Sequence, residues 1–335
     1  MEKHKPPYRI TDVMLTMTAS ISEKLGRISV LHNLESQPHL RKNNRIRSIH
    51  SSLKIEANSL SLGQVREVIA GRNVIGDRKE IQEVKNAYAA YGMLNEINPY
   101  RIADLLRLHE VMTQYTVDES GTFRKGEEGV FNGDRCIFMA PPARLVPQLV
   151  ENLFGWMNEA RKTVHPLILS SIFHYEFVFI HPFTDGNGRM ARLWHTAILA
   201  QWKPVFAYIP LENQIEKFQK DYYRAIAECH KAGNSDLFIE FMLEQTDRLL
   251  DEISVTAGED EITSEYVKKL LSVMEYGVPY TASAIMEKLN LKSKETFRKH
   301  YINPAIALGM VEMTVPDRPT SRNQRYVKKL LTHEQ

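Results

Sequence analysis

The segment HPFTDGNGRMARLW, residues 181–194, gathers a histidine, an acid, two glycines, an asparagine and two arginines into one short stretch. Gly186 and Gly188 open backbone conformations closed to other residues and let a ligand approach the main chain. The apolar period that follows, "RMARLWHTAILAQW", predicts a helix beginning near Asn187. The free amides and positive dipole end of such a helix face the loop and suit phosphate. Arg189 and Arg192 lie three apart in its first turn, on one face, where both can fork onto phosphate oxygens. Asp185 beside two arginines and an anion site calls for a cation, and Mg2+ bridging Asp185 to a di- or triphosphate supplies it. His181, held by Pro182 and Phe183 at the end of the preceding helix, is then a general base at neutral pH. Taken singly, Gly-Asn-Gly is a common turn, Asp185 a helix cap and each arginine a surface charge. Twelve residues carrying all of them read instead as phosphoryl- or nucleotidyl-transfer machinery. A P-loop is excluded, because no Lys-Ser/Thr follows the glycines.

Around this segment the 335-residue chain has an ordinary globular composition, 43% hydrophobic and 25% charged. That length fits two or three domains. A formal net charge of +2 does not mark the whole chain as a polyanion binder. Two cysteines, Cys136 and Cys229, are too few for a disulfide framework or a zinc cluster. "MEKHKPPYRI" lacks the apolar run of a signal peptide, and "LILSSIFHYEFVFI" is too short for a bilayer and carries His174 and Glu176. A cytoplasmic protein with no membrane contact is the expectation.

The fold class expected is mainly α. Ile10, Met14, Met17, Ile21, Leu25 and Ile28 recur at helical spacing. A polar break, "ESQPHLRKNNR", separates them from a second helix through "IHSSLKIEA". Further helices fit "EIQEVKNAYAAYGMLNEI", "RIADLLRLHEVMTQY" and "LVPQLVENLFGWMNEA". Between the last two, "GTFRKGEEGVFNGDRCIFMAPP" holds two short strand-like runs about a turn at Asn132-Gly133, a hairpin candidate. The small, acidic "SVTAGEDEI" reads as a linker. The division expected is an N-terminal helical region over 1–100, a core over 101–250, a linker over 251–262 and a C-terminal domain over 263–335.

"HPFTDGNGRMAR" resembles the signature of the Fic (filamentation induced by cyclic AMP) family, His-Pro-Phe-x-Asp/Glu-Gly-Asn-Gly-Arg-x-x-Arg, at every defined position. The likeness extends from about Ser51 to Leu243: "GTFRKGEEGVF" resembles a family Gly-x-Tyr/Phe-Arg segment, and "CIFMAPPARLVPQLVENLFGWMNE" the flap and following helix. The resemblance implies a helical core with a β-hairpin flap and transfer of AMP from ATP to a protein hydroxyl. His181 would then deprotonate the acceptor, Asp185 would hold Mg2+, Gly186, Asn187 and Gly188 would form the anion hole, and Arg189 and Arg192 would bind the outer phosphates. Ile137, Phe138 and Met139 of the flap would align the target by strand pairing. His174 matches a common family histidine and reads as a core or supporting residue.

"SSLKIEANSLSL" resembles the family's inhibitory helix motif, Ser/Thr-x-x-x-Glu-Gly/Asn, with Ser52 and Glu56 in the key places of a helix near 48–60. A glutamate set against Arg192 would fill the place meant for the γ-phosphate. Ala57 departs from the motif, standing where the family has Gly or Asn. For the adenine, Tyr222 or Tyr223 of "DYYRAI" could stack on the base, with Asn213 as a polar contact. Alternatives within this reading are AMP removal, another nucleotidyl or phosphoryl transfer, or a DNA-binding regulator whose core senses nucleotide. An intact His181 argues against the last. A homodimer is compatible with apolar patches on the long helices.

The tail from Thr263 to Gln335 carries twelve Lys/Arg against seven Asp/Glu, a net of +5. Its short helices followed by two strands around "PDRP" resemble a winged helix. Lys292, Lys294, Arg298 and Lys299 would lie on a recognition helix and Arg318, Arg322 and Arg325 on the wing. Such a module serves DNA binding or protein docking equally.

Overall fold

The computed structural model describes residues 5–31, 38–132, 135–275, 277–319 and 321–329, with side chains outside the description at 27–31, 38–40, 130–132, 135–137 and 254–264. The described residues are predominantly helical and divide into two compact units, Met1–Asp251 and Glu252–Gln335.

The first unit is built on α7 (Pro166–Ile180) and α8 (Asn187–Trp202). Both are buried on nearly every side; α7 is accordingly apolar almost all round, whereas α8 buries Asn187, Arg189, Arg192, His195 and Thr196 among its apolar residues. Phe173, Phe177, Leu193 and Trp194 form the centre, and the Trp194 indole N–H donates to Pro99 O at 3.1 Å. α2 (Pro38–Ile55) packs beside α4 (Arg78–Gly92) and α9 (Leu211–Lys217). Its Ile46, Ile49 and Leu53 join the same core as Trp194. The expected N-terminal region, 1–100, and the expected core, 101–250, lie in the same compact unit. α2 also starts at Pro38, inside the expected polar break, because proline at a first helical position is already set at helical φ. α1 (Asp12–Leu31) is tied to the first turns of α11 (Asp236–Ser272), where Lys24 Nζ reaches Asp247 Oδ1 at 2.8 Å and Asp251 Oδ2 at 2.7 Å.

The hairpin candidate is formed by β1 (Gly129–Asn132) and β2 (Arg135–Met139), antiparallel, with a register shift between Val130 and Phe131. Gly133 of the expected turn lies outside the described residues. α5 (Ile102–Thr113) precedes this hairpin, α6 (Val146–Ala160) follows it, and α10 (Gln219–Ala232) precedes α11.

The expected linker at 251–262 is helical backbone in the middle of α11. "SVTAGEDEI" contains no proline and a single glycine, Gly258, so its small residues do not break the hydrogen-bond ladder. In the second unit a three-stranded antiparallel sheet has the order β3 (Pro279–Tyr280), β5 (Tyr326–Lys328), β4 (Val311–Met313). α12 (Ala282–Lys288), α13 (Lys294–Thr296) and α14 (Asn303–Ala307) flank it, and Phe297, Tyr301, Ile302 and Ala305 close its core. A π-helical segment, Phe297–Ile302, joins α13 to α14. Pro304 has no N–H for the carbonyl four residues back, which favours the wider turn there. Lys292, Lys294, Arg298, Lys299, Arg318 and Arg322 are exposed on this unit, and Arg325 is half-buried.

Candidate active site

α7 ends where His181 takes a left-handed conformation, φ 51° and ψ 61°, its N–H still bonded to Phe177 O at 3.0 Å. That turn swings the chain into the loop before α8. The Asn187 side chain staples this loop, accepting from Phe183 N–H at 2.9 Å and donating to Phe183 O at 2.6 Å. Gly186 then sits at φ 81°, where a side chain would be strained and a Cβ would stand 3.0 Å from Thr113 Cγ2. The amides of the first turn of α8 are left facing the loop, an anion cradle.

His181 Nδ1 lies 3.3 Å from Val178 O, an acceptor only, so the ring carries its proton on Nδ1 and leaves the Nε2 lone pair free. Burial, with Arg124 nearby, lowers the His181 pKa below its ordinary value, against the Val178 carbonyl and Glu56, which pull it up. The imidazole is neutral at pH 7 and can accept a proton. Asp185 is half-buried, and burial alone would raise its pKa. Arg189 Nη2 at 2.7 Å, the Gly186 N–H and Lys79 Nζ at 3.7 Å outweigh that and lower it.

Arg192 is buried, its side chain 1% exposed. Its Nε donates to Ser52 Oγ at 3.1 Å, and Nη2 donates to Ser52 O at 2.9 Å and Glu56 Oε1 at 2.8 Å. Burial opposes the charge, but Glu56 and the nearby Tyr222 and Tyr91 hydroxyls raise the Arg192 pKa and hold it protonated. Gly188 makes this contact possible: a Cβ there would fall 2.2 Å from Glu56 Oε1. The Glu56 carboxylate therefore lies close over Gly188 in the first turn of α8. α2 ends in a Schellman motif, with Asn58 N–H to Leu53 O at 3.1 Å and Ala57 N–H to Lys54 O at 3.0 Å. Ala57 is its left-handed residue at φ 65°, so the departure from Gly/Asn leaves the helix end intact and adds backbone strain.

Three more residues complete the loop: His109 and Glu83 carried no signal in the sequence, and Arg124 appeared only as the arginine of the Gly-x-Tyr/Phe-Arg resemblance. His109 of α5 stacks on Phe183 at 3.6 Å between ring centroids, accepts the Gly121 N–H at Nδ1 and donates from Nε2 to Asp185 O, both at 3.0 Å. Burial lowers its pKa to about 4. Arg124, 2% exposed, donates from Nε to His181 O at 2.7 Å, from Nη1 to Gly126 O at 2.8 Å and from Nη2 to Pro141 O at 2.5 Å. It fastens the histidine loop to both feet of the hairpin. Glu83 of α4 faces Arg189 Nη1 at 3.5 Å and accepts from Asn58 Nδ2 at 2.9 Å, joining the end of the α2 motif to the loop. All three depend on packing between distant segments, which no local pattern records.

Of the expected adenine residues, Tyr222 is 2% exposed and its hydroxyl lies 2.9 Å from His174 Nε2. Its ring is core, because it faces α7 and α8, and cannot stack on a base. Tyr223, the next residue round the helix, is 48% exposed. Asn213 accepts from Ser51 Oγ at 3.0 Å and so supports α2. In the hairpin, the backbone of Ile137 is in β2, Met139 is exposed, and the Phe138 ring stacks on His230 at 4.3 Å.

Among the described residues no group of three or more His, Cys, Asp or Glu side chains could hold a metal by itself. Asp185 nonetheless fits Mg2+, a hard cation that binds through one or two carboxylates plus substrate phosphates and water. Its two cationic neighbours already show that the carboxylate attracts positive charge. Among the described residues no helix is long and apolar enough to cross a membrane.

Residues 99–199 match the Fic/DOC family, and residues 265–328 match the C-terminal domain of "Filamentation induced by cAMP protein Fic-like". The chain is similar along nearly its whole length to a Fic family protein of known structure from Desulfovibrio desulfuricans G20, with 42% identity, 99% of this chain and 100% of that one covered, and a TM-score of 0.74. The fold is shared with Fic-1 (residues 134–508) of C. elegans, at 22% identity, 73% and 74% coverage and a TM-score of 0.58. Among curated proteins, "Protein adenylyltransferase Fic" of Drosophila willistoni is 28% identical over 259 residues, covering 72% of this chain and 49% of that protein. The Drosophila yakuba protein of the same name is 29% identical over 262 residues, covering 72% and 50%. The chain thus spans about half the length of the curated relatives it matches.

Proposed function

The chain belongs to the Fic family, and on that premise we propose that it transfers AMP from ATP to a Ser, Thr or Tyr hydroxyl of a protein target, held in check by its own Glu56. The observation that carries the reading is the 2.8 Å pair between Glu56 and Arg192 above Gly188, a carboxylate parked where a phosphate belongs.

With Glu56 withdrawn, the α8 amides, Gly186, Asn187 and Gly188 receive the anionic phosphates, and Arg189 and Arg192 take the outer ones. Asp185 would hold Mg2+, which when bound with the nucleotide neutralises charge on the leaving pyrophosphate. Tyr223 offers a ring face for adenine. The β2 edge, Ile137 to Met139, pairs with an extended stretch of the target and sets its hydroxyl beside His181. His181 Nε2 removes the hydroxyl proton while the oxygen bonds to the α-phosphorus and the bond from that phosphorus to the bridging oxygen breaks. AMP stays on the target, pyrophosphate departs, and His181 retains the proton until solvent takes it.

Incubation of Glu56→Gly with cell lysate and ATP labelled at either the α or the γ phosphorus tests the chemistry. Protein label should come from the α position alone and vanish in Glu56→Gly/His181→Ala. Label from γ alone would contradict adenylyl transfer.

A further inference from the structure

A second cavity of about 240 Å³ lies beside the flap, walled by Leu149 and Leu153 of α6, by Glu176, Phe179 and Ile180 of α7, and by His230 of α10. Its rim is the flap's own neighbour, since the Phe138 ring rests on His230 at 4.3 Å and on Phe179 at 5.5 Å. Among these apolar walls Glu176 is 7% exposed and makes no hydrogen bond or ion pair among the described residues. Burial raises its pKa to about 7, the mark of a carboxyl without a counter-charge. His230 offers none, for burial lowers its pKa and its Nε2 also has no hydrogen-bond partner among the described residues. A carboxylate at the wall of an apolar cavity matches one kind of side chain, a cation on a methylene stem.

We propose that this cavity receives a Lys or Arg side chain of the protein target, with the stem against Leu149, Leu153 and Ile180 and the cationic head on Glu176. This rests on the adenylyl-transfer reading above, and it adds a substrate preference that the catalytic loop does not determine. Glu176 is five residues before His181, about 7.5 Å along the helix, which is spanned by about two or three residues of an extended strand. The basic residue therefore falls within about three positions of the modified hydroxyl.

Two measurements on the full chain test this. Butylammonium, a lysine side chain without its backbone, is titrated against wild type while the methyl NMR signals of Leu149, Leu153 and Ile180 are followed. The shifts should saturate, and the isosteric Glu176→Gln, checked for unchanged melting, should weaken binding about tenfold. In parallel, Glu56→Gly is given serine peptides bearing Lys, norleucine or Glu at each position around the acceptor, with α-labelled ATP. Lysine at one nearby position should be labelled about tenfold faster than norleucine, and Glu56→Gly/Glu176→Gln should label the two equally. Absence of saturable shifts, or a lysine-to-norleucine ratio near one in Glu56→Gly, overturns the proposal. Saturable butylammonium binding with no peptide labelled by any variant contradicts the transfer reading instead and leaves the cation pocket standing.

Discussion

The role of base proposed for His181 rests on where the chain puts it. Its Nδ1 is committed to Val178 O, and burial, the largest influence, lowers its pKa, with Arg124 adding to the effect. Glu56 is one of the two groups pulling the other way. In Glu56→Gly that pull is gone, so the neutral imidazole persists to lower pH. The rising limb of kcat/KM against pH should then have its midpoint below the ordinary histidine value of about 6.5. A midpoint above that value would contradict the assignment of His181 as a buried base. Ala57 is a second position where one residue carries a legible cost. At φ 65° its Cβ is strained, and Ala57→Gly should stabilise the chain by ~1 kcal/mol, raising the melting temperature by about 2–4 °C. A neutral or destabilising result would mean that the turn is not held as described.

At the scale of elements, the site is a meeting of four pieces: the end of α7, the start of α8, the end of α2 and the hairpin. The first two were legible because one contiguous segment encodes both, and the glycines and the apolar period after Asn187 mark the turn from loop to helix. The α2 contact was legible through Ser52 and Glu56, although only the structure shows the carboxylate resting on Gly188. The hairpin's attachment was not. Arg124 was quoted only as part of a resemblance, yet its guanidinium binds backbone carbonyls of His181, Gly126 and Pro141 together. Carbonyl acceptors exist at every residue, so no side-chain pattern announces such a clamp. Arg124→Met should leave those acceptors unpaired and lower stability by ~2–4 kcal/mol, read as a shift in the urea midpoint without a change in slope. A loss below about 0.5 kcal/mol would show that the clamp is not structural.

At the scale of the whole molecule, the change of composition at "SVTAGEDEI" suggested a linker over 251–262, but composition said nothing of backbone. α11 runs through the supposed linker because small acidic residues without proline still propagate a helix. Tyr222 and Tyr223 were indistinguishable in sequence for a related reason: adjacent helical residues face different ways, and only the packing of α10 decides which is core. The proposed restraint lies within a single chain. Ser52 and Glu56 reach Arg192 across 140 and 136 positions of sequence within one compact unit, so inhibition of the proposed kind would require no second molecule. The most direct test is the initial rate of target labelling from α-labelled ATP by wild type and Glu56→Gly, measured across a range of enzyme concentrations. Losing a charge-assisted contact of this kind should raise the specific rate by about tenfold or more, by the same factor at every concentration. Equal rates for the two proteins would contradict the claim that Glu56 holds the transfer site closed.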